Sequence, residues 1–384
     1  MNKYQRLIAQ IDLDAIANNI KQIKKRIKPN TKIMAIVKAD AYGHGALEVS
    51  KVCLFNGANW LGVATLDEGI ELRQGSIQVP ILILGHTVES QLETAILNDL
   101  TQTVYSYEIA QIISNIATKL KKRALIHIKI DTGMSRLGFL PNDESIQIIN
   151  KIYNLPNIDV TGIFTHFAAA DEKDKTFTNL QYDKFLYITN SLETMWNKRI
   201  LRHCGNSATI IDMPLYQLDM VRAGIIIYGL LPSKDVAKNI DLKPAMTLKS
   251  QIVYIKELEP NSSIGYNRTY FTSKPTLIAT IPIGYADGYS RSLSNKARVI
   301  INGEYANVVG NVCMDQMMVD VSHIKGVNIF DSVTLIGSSN GKFISADELA
   351  NIEGTINYEV VCNISKRVPR VYIRDGQIIN TKKY

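Results

Sequence analysis

The stretch Lys32-Ile33-Met34-Ala35-Ile36-Val37-Lys38-Ala39-Asp40-Ala41-Tyr42-Gly43-His44-Gly45 changes character at its middle. Residues 32–37 are short, mostly apolar and nearly uninterrupted, as in a strand buried on both faces of a parallel sheet. Lys38 stands at the carboxyl end of that strand, followed at once by a tyrosine, a histidine and two glycines. Burial there disfavours the charged ammonium, lowers its pKa and suits it to Schiff-base or general-base chemistry. A lone lysine at a strand end more commonly snorkels to water. The residues around Lys38 make it a candidate site.

The same grammar recurs along the chain. Apolar runs at Ile33–Lys38, Trp60–Ala64, Ile81–Leu84, Gln102–Tyr105, Leu125–Ile130, Val160–Thr165, Leu201–His203 and Asp219–Val221 alternate with helical patterns. Among the latter are Ile112, Ile116 and Leu120, then Ile146, Ile149 and Ile152, then Phe185, Ile188, Leu192 and Trp196. Eight β-α units predict a (β/α)8 TIM-type barrel, although an open doubly wound sheet shares the pattern. A barrel requires reactive side chains to gather at the carboxyl ends of its strands. Lys38 closes the first run, Lys129 ends the fifth with Arg136 beyond it, and His166 follows the sixth. Asn206 and Ser207 follow the seventh, and Arg222 follows the eighth. Singly, His166 reads as a structural histidine and Arg136 as a surface arginine; their convergence on one face gives them weight.

Beyond about residue 240 helical periodicity fades. Ile300-Ile301-Asn302-Gly303-Glu304-Tyr305 carries Asn-Gly between two alternating runs, a hairpin signal. Val308-Val309, Met317–Asp320 and Ser332–Ile336 read as further strands. The expected organisation is a barrel domain over 1–240, its first residues free to pack with the β domain, and a mostly antiparallel β domain over 241–384. A first helix carrying Ile16, Ile20, Ile23 and Ile27 follows the capping region Asp12-Leu13-Asp14.

Composition narrows the function classes. The 384 residues carry 43 Lys+Arg against 36 Asp+Glu, a mildly basic +7 with no block dense enough to argue for nucleic acid. Cys53, Cys204, Cys313 and Cys362 show no zinc-ligand spacing, so reduced thiols and no metal are expected. The start, Met1 to Asp14, lacks the apolar core of a leader peptide, and Ile225–Leu231 is too short to span a bilayer. A cytoplasmic enzyme acting on a small molecule is expected, with no membrane partner.

Six segments in order then give the chain its family. Ala35–Gly45, Lys129–Gly138, Val221–Ile225, Gly265–Thr269, Ile283–Tyr289 and Cys313-Met314-Asp315 strongly resemble the alanine racemases, which use pyridoxal 5'-phosphate to interconvert L- and D-alanine. The likeness runs from about residue 10 to about residue 375. It implies that Lys38 holds the cofactor and then serves as one base, with Tyr266 the other. A phenol is a poor base at neutral pH without a cationic neighbour, and the resemblance assigns that role to His166 and Arg222. It also implies that Arg222 faces the cofactor's ring nitrogen, that Arg136 meets the cofactor and the substrate carboxylate, and that Met314 meets that carboxylate too. Tyr42, Asn206, Ser207, Gly224, Ile225 and Tyr358 would hold the cofactor, and Lys129 matches a position carbamylated in many members. Tyr266 and Met314 reach the partner's barrel in this family, so a head-to-tail homodimer with shared sites is implied. D-alanine for peptidoglycan is the family's commoner product use.

One departure stands out. Many members carry arginine two positions before the Cys313 motif; here it is Asn311, in an entryway with Asp171 and Tyr285. Corridor polarity and substrate selection are what this puts at issue. Competing readings are a serine or broad-specificity racemase, a barrel-plus-β amino-acid decarboxylase, and a non-enzymatic cofactor carrier. Decarboxylases of that kind place a carboxylate opposite the ring nitrogen, where this chain has Arg222, and carriers lack the β domain.

Overall fold

The computed structural model describes residues 6–384; the first five residues of the expected barrel domain lie outside them. By internal contacts the chain divides into two compact units. One comprises Ile16–Ala41 and Ala46–Lys243, and the other the described residues through Ala15 together with Tyr42–Gly45 and Pro244–Tyr384.

After β1 (Leu7–Asp12), the first unit holds β2 (Lys32–Ile36), β3 (Trp60–Val63), β4 (Ile81–Ile83), β5 (Leu100–Val104), β6 (Ala124–Lys129), β7 (Ile158–Phe164), β8 (Leu201–His203) and β9 (Met220–Ala223). They are parallel, in the order β8-β7-β6-β5-β4-β3-β2-β9. Two main-chain bonds bring the ends of that order together. Asp219 N–H donates to Arg202 O at 3.2 Å and Arg222 N–H to Gly205 O at 2.9 Å. The result is the expected eight-stranded barrel.

Helix starts follow the capping residues. Asp12 accepts from the N–H groups of Asp14 and Ala15 at the head of Leu13–Arg26. Thr65 and Glu68 form a capping box before Leu66–Gln74, while Ser106 and Asn142 cap Tyr107–Leu120 and Asp143–Tyr153. Ile113, Ile149, Phe185, Ile188 and Leu192 are fully buried on the inward faces of these helices and of Thr176–Trp196.

The β unit is a mostly antiparallel sheet in which β1 pairs antiparallel with Met246–Gln251 and parallel with Arg370–Arg374. The Asn-Gly hairpin forms as expected between Arg298–Ile301 and Glu304–Val308, with Asn302 and Gly303 at φ 51° and 80°. Two successive positive φ values match the twist of the strands they join. A separate pair, Ser263–Ile264 with Tyr270–Phe271, carries the turn that holds Tyr266. Two helices, Ala346–Glu353 and Asn357–Cys362, also belong to this mostly antiparallel β unit.

Candidate active site

Lys38 lies two residues past β2 and opens a turn that no propensity rule suggests. Ala39, Asp40, Ala41 and Tyr42 all have φ between 50° and 54°, one turn of left-handed helix without a glycine. Such backbone costs roughly 1–2 kcal/mol per residue, so it persists only where its surroundings hold it. Here Ala41 N–H donates to Val37 O at 2.8 Å, Ala39 N–H to Glu68 Oε1 at 2.6 Å, and Ala46 N–H to Asp40 Oδ1 at 2.8 Å.

Tyr42–Gly45 is grouped with the β unit. Tyr42 is buried, its ring 6.0 Å from that of Tyr358, and burial raises its phenol pKa above the usual value. Gly43 has φ +78°, and a Cβ there would stand 2.4 Å from Val361 O. Arg370, itself buried, donates to Gly43 O and to the carbonyls of Ile364, Ser365 and Val368.

Arg222 is the electrostatic centre of the barrel's carboxyl end. It lies within β9, paired with Met34, rather than after the strand as the sequence suggested. A guanidinium is tolerated there because its donors are satisfied. Nη2 donates to Thr165 O at 2.7 Å and Cys204 O at 3.1 Å, and Nη1 to His203 O at 2.9 Å. His203 Nδ1 lies 3.0 Å from Nη1 and His166 Nδ1 lies 3.2 Å from Nη2. No carboxylate is among these partners. Burial lowers the Arg222 pKa to about 10, which leaves it charged at neutral pH.

That charge fixes the imidazoles. Arginine can only donate, so Nδ1 of both His166 and His203 must accept and each proton sits on Nε2. His203 Nε2 then donates to His127 Nδ1 at 2.9 Å, which leaves the His127 proton on a buried Nε2 that has no partner among the described residues. Burial first, then Arg222, pushes His127 down to about 3. Burial likewise holds His203 and His166 well below the usual imidazole range; Arg222, Arg136, Lys129 and Lys38 add to the effect on His166.

Lys129 ends β6, buried, with Nζ donating to Ile130 O at 2.7 Å and standing 5.6 Å from the Phe164 ring centre. Burial and then Arg222 bring it down to about 7. Asp131 shapes the loop that follows, accepting from the N–H groups of Gly133, Ser135 and Arg136. Arg136 itself is exposed. Gln181, fully buried on Thr176–Trp196, donates to His166 O and accepts from Ala168 N–H, which anchors the loop after β7.

Asn206 caps the short helix Ser207–Asp212, and Ser207 Oγ accepts from Gly224 N–H at 3.1 Å, just before the 3₁₀ turn Ile225–Tyr228. Two helical starts are thereby clipped together after the last two strands, where barrels commonly bind phosphate. Asp171 is half-buried, with its carbonyl accepting from Ser233 Oγ.

The remaining sequence-derived residues lie in the β unit. Tyr266 is 71% exposed and Met314 53%, and Tyr285 is exposed as well. Tyr285 N–H and Ala286 N–H donate to Cys313 O and Met314 O, and a Cβ on Gly284 would come within 2.4 Å of that same backbone. Asn311 is buried and donates through Nδ2 to Tyr266 O at 2.8 Å. Sequence reasoning passed over Glu68, Asp131, Gln181, His127 and His203. Only His203, ending a strand run, and Asp131, inside a quoted motif, left a signal.

Comparison with known proteins agrees along the chain. Residues 11–232 match the family model of the alanine racemase N-terminal domain, and residues 245–372 that of the C-terminal domain. The chain is 54% identical over 378 residues to the alanine racemase of Clostridium tetani, covering 98% of this chain and 97% of that one. It is 51% identical over 377 residues to that of Clostridium perfringens strain SM101, with the same coverage. The solved alanine racemase of Clostridium difficile 630 superposes with a TM-score of 0.95 at 45% identity, over 99% of this chain and 98% of that one. With both domains matched in order and identity above one half over nearly its whole length, this chain belongs to the alanine racemase family.

Proposed function

We propose that this chain interconverts L- and D-alanine with pyridoxal 5'-phosphate as cofactor, Lys38 and Tyr266 being the two bases and Tyr266 coming from a second copy of the chain. The observation that carries the reading is the charge pattern at the barrel's carboxyl end. A buried Arg222 without a carboxylate partner shares that end with Lys38, Lys129, Arg136 and a His166 that can donate only through Nε2. These donors fit an anionic, phosphate-bearing cofactor. Lys38 would hold it; Ser207, Gly224, Ile225 and Asn206 would cradle the phosphate, with Tyr42 and Tyr358 adding phenolic donors. Bound pyridoxal phosphate supplies an electron sink for the α-carbon.

Racemisation needs a proton removed from one face of the α-carbon and one returned to the other. Lys38 Nζ would serve one face and Tyr266 Oη the opposite one. The phenol needs a donor or cation to titrate low enough; His166 Nε2–H, backed by Arg222 on Nδ1, is that donor. Arg222 keeps its proton and would face the ring nitrogen with a weak acid, which limits electron withdrawal and favours simple reprotonation. Arg136 and the Met314 backbone would orient the substrate carboxylate. Lys129, brought to about 7, holds a large neutral fraction at neutral pH, the form that attacks carbon dioxide to give a carbamate and a proton. The carboxylate so formed would orient Arg136.

Asp171, Tyr285 and Asn311 are assigned to the substrate entryway. The exposure of Tyr266 and Met314 supports a head-to-tail homodimer. Among the described residues no helix is long and apolar enough to cross a membrane; we place the enzyme in the cytoplasm, supplying D-alanine for peptidoglycan. Initial rates with L-alanine and L-serine side by side test the reading. A clearly higher kcat/KM for alanine is expected, and an equal or greater value for serine would replace alanine as the substrate.

A further inference from the structure

Tyr266 is held in an unusual way. The hairpin that carries it has two residues per strand, so few main-chain bonds fix its turn. Within the turn Gly265, Asn267 and Arg268 all have positive φ, at 74°, 61° and 52°. The side chain is 71% exposed, so packing within this chain does little to fix the ring. Its direction therefore depends on the backbone.

One asparagine of the neighbouring loop grips that backbone, and a second ties the loop to the end of the turn. Asn311, only 8% exposed, donates through Nδ2 to the Tyr266 carbonyl at 2.8 Å. Asn295 accepts from Gly310 N–H at 2.6 Å and donates to Thr269 Oγ1 at 3.1 Å, tying the same loop to the far end of the turn. The fit between loop and turn is close. A Cβ on Gly310 would stand 2.7 Å from Ile264 O, and one on Gly265 would stand 3.2 Å from Asn311 N. A hydrogen bond to the carbonyl of Tyr266 fixes the peptide plane after it, and with it the direction of the Cα–Cβ bond.

We infer that Asn311 is, beyond its place in the entryway, a positioning residue for Tyr266, acting through the Tyr266 carbonyl. The inference rests on the proposed role of Tyr266 as one of two bases. A base displaced by about 1 Å loses on the order of 100-fold in rate. Because each base serves one face of the α-carbon, losing the position of one base slows one enantiomer more than the other. A residue that only shapes the entryway or the fold has no such handedness.

The test is the initial rate of solvent-deuterium exchange into the α-position of L-alanine and of D-alanine, with holoenzyme of the wild type, Tyr266→Phe, Asn311→Asp, Asn311→Ala and Asn295→Ala. Asparagine to aspartate keeps the shape and removes the donor. Tyr266→Phe should slow one enantiomer selectively. Asn311→Asp and Asn311→Ala should slow that same enantiomer by about 10- to 100-fold, with KM changed by less than about two-fold. Asn295→Ala, at an exposed residue, should act in the same direction by a few-fold, and it decides the matter if the Asn311 variants fail to fold. Equal slowing of both enantiomers by the Asn311 variants, or a rise in KM alone, overturns the inference while leaving Tyr266 a base. Equal slowing of both by Tyr266→Phe overturns the two-base reading, and the inference with it.

Discussion

At the carboxyl end of the barrel, Arg222 is buried and its guanidinium reaches three carbonyls and two imidazoles; in the β unit, Tyr266 is 71% exposed and held through its backbone. The first arrangement fixes charge. Burial and satisfied hydrogen bonds set which atom carries each proton before any ligand arrives. The second leaves a phenol projecting from a short hairpin, with its position set and its chemical environment open. The contrast is that of a buried, fixed charge network and an exposed phenol, as expected if each chain offers its Tyr266 to another copy.

The largest effect tests the barrel side. Lys38→Ala should lower racemisation by about 10²- to 10⁴-fold, and borohydride treatment should no longer fix the cofactor to the chain. Covalent retention of cofactor by this variant would remove Lys38 from its proposed place.

A smaller effect tests the buried histidine network. His127, His166 and His203 have folded pKa values below the ordinary imidazole value near 6.5. Between the folded and unfolded values the unfolded chain binds more protons, so stability is full above about pH 6.5 and falls as pH drops. The expected slope is about 1.4 kcal/mol per pH unit for each histidine, continuing for His127 towards about 3. Urea unfolding at pH 7.5, 6.5 and 5.5 measures it. His127→Asn should flatten the slope; the same slope in both proteins would mean that His127 does not control acid stability.

The smallest effect lies in the β unit. Gly303 has φ +80° in the Asn-Gly hairpin, so Gly303→Ala should cost about 1–2 kcal/mol in urea unfolding and leave racemisation unchanged. A loss of activity there would mean that the hairpin is coupled to the site.

How far the sequence could be read follows from where the information sits. Strands such as Lys32–Ile36, Trp60–Val63 and Ile81–Ile83 were legible because strands buried on both faces show as apolar runs, and the Asn302-Gly303 hairpin because its turn has a strong residue preference. The left-handed turn Ala39–Tyr42 was not legible, since alanine and tyrosine disfavour positive φ and a long-range bond to Glu68 helps to hold it. His127 and Gln181 were hidden for the same reason. Each is a single polar residue in an otherwise regular element, and its partner is distant in the chain. Asn311 was recognised only as a departure from the family pattern, while its hydrogen bond to Tyr266 emerged from the fold.

The shared site is the central claim, and subunit mixing tests it most directly. Lys38→Ala and Tyr266→Phe chains, each nearly inactive alone, are combined in equal amounts under conditions that let subunits reassort. If Lys38 of one copy works with Tyr266 of the other, half of the dimers are mixed and each holds one intact site, so activity should recover to about a quarter of wild type. A mixture no more active than its two parents, after mass spectrometry has shown that mixed dimers formed, would contradict the shared site.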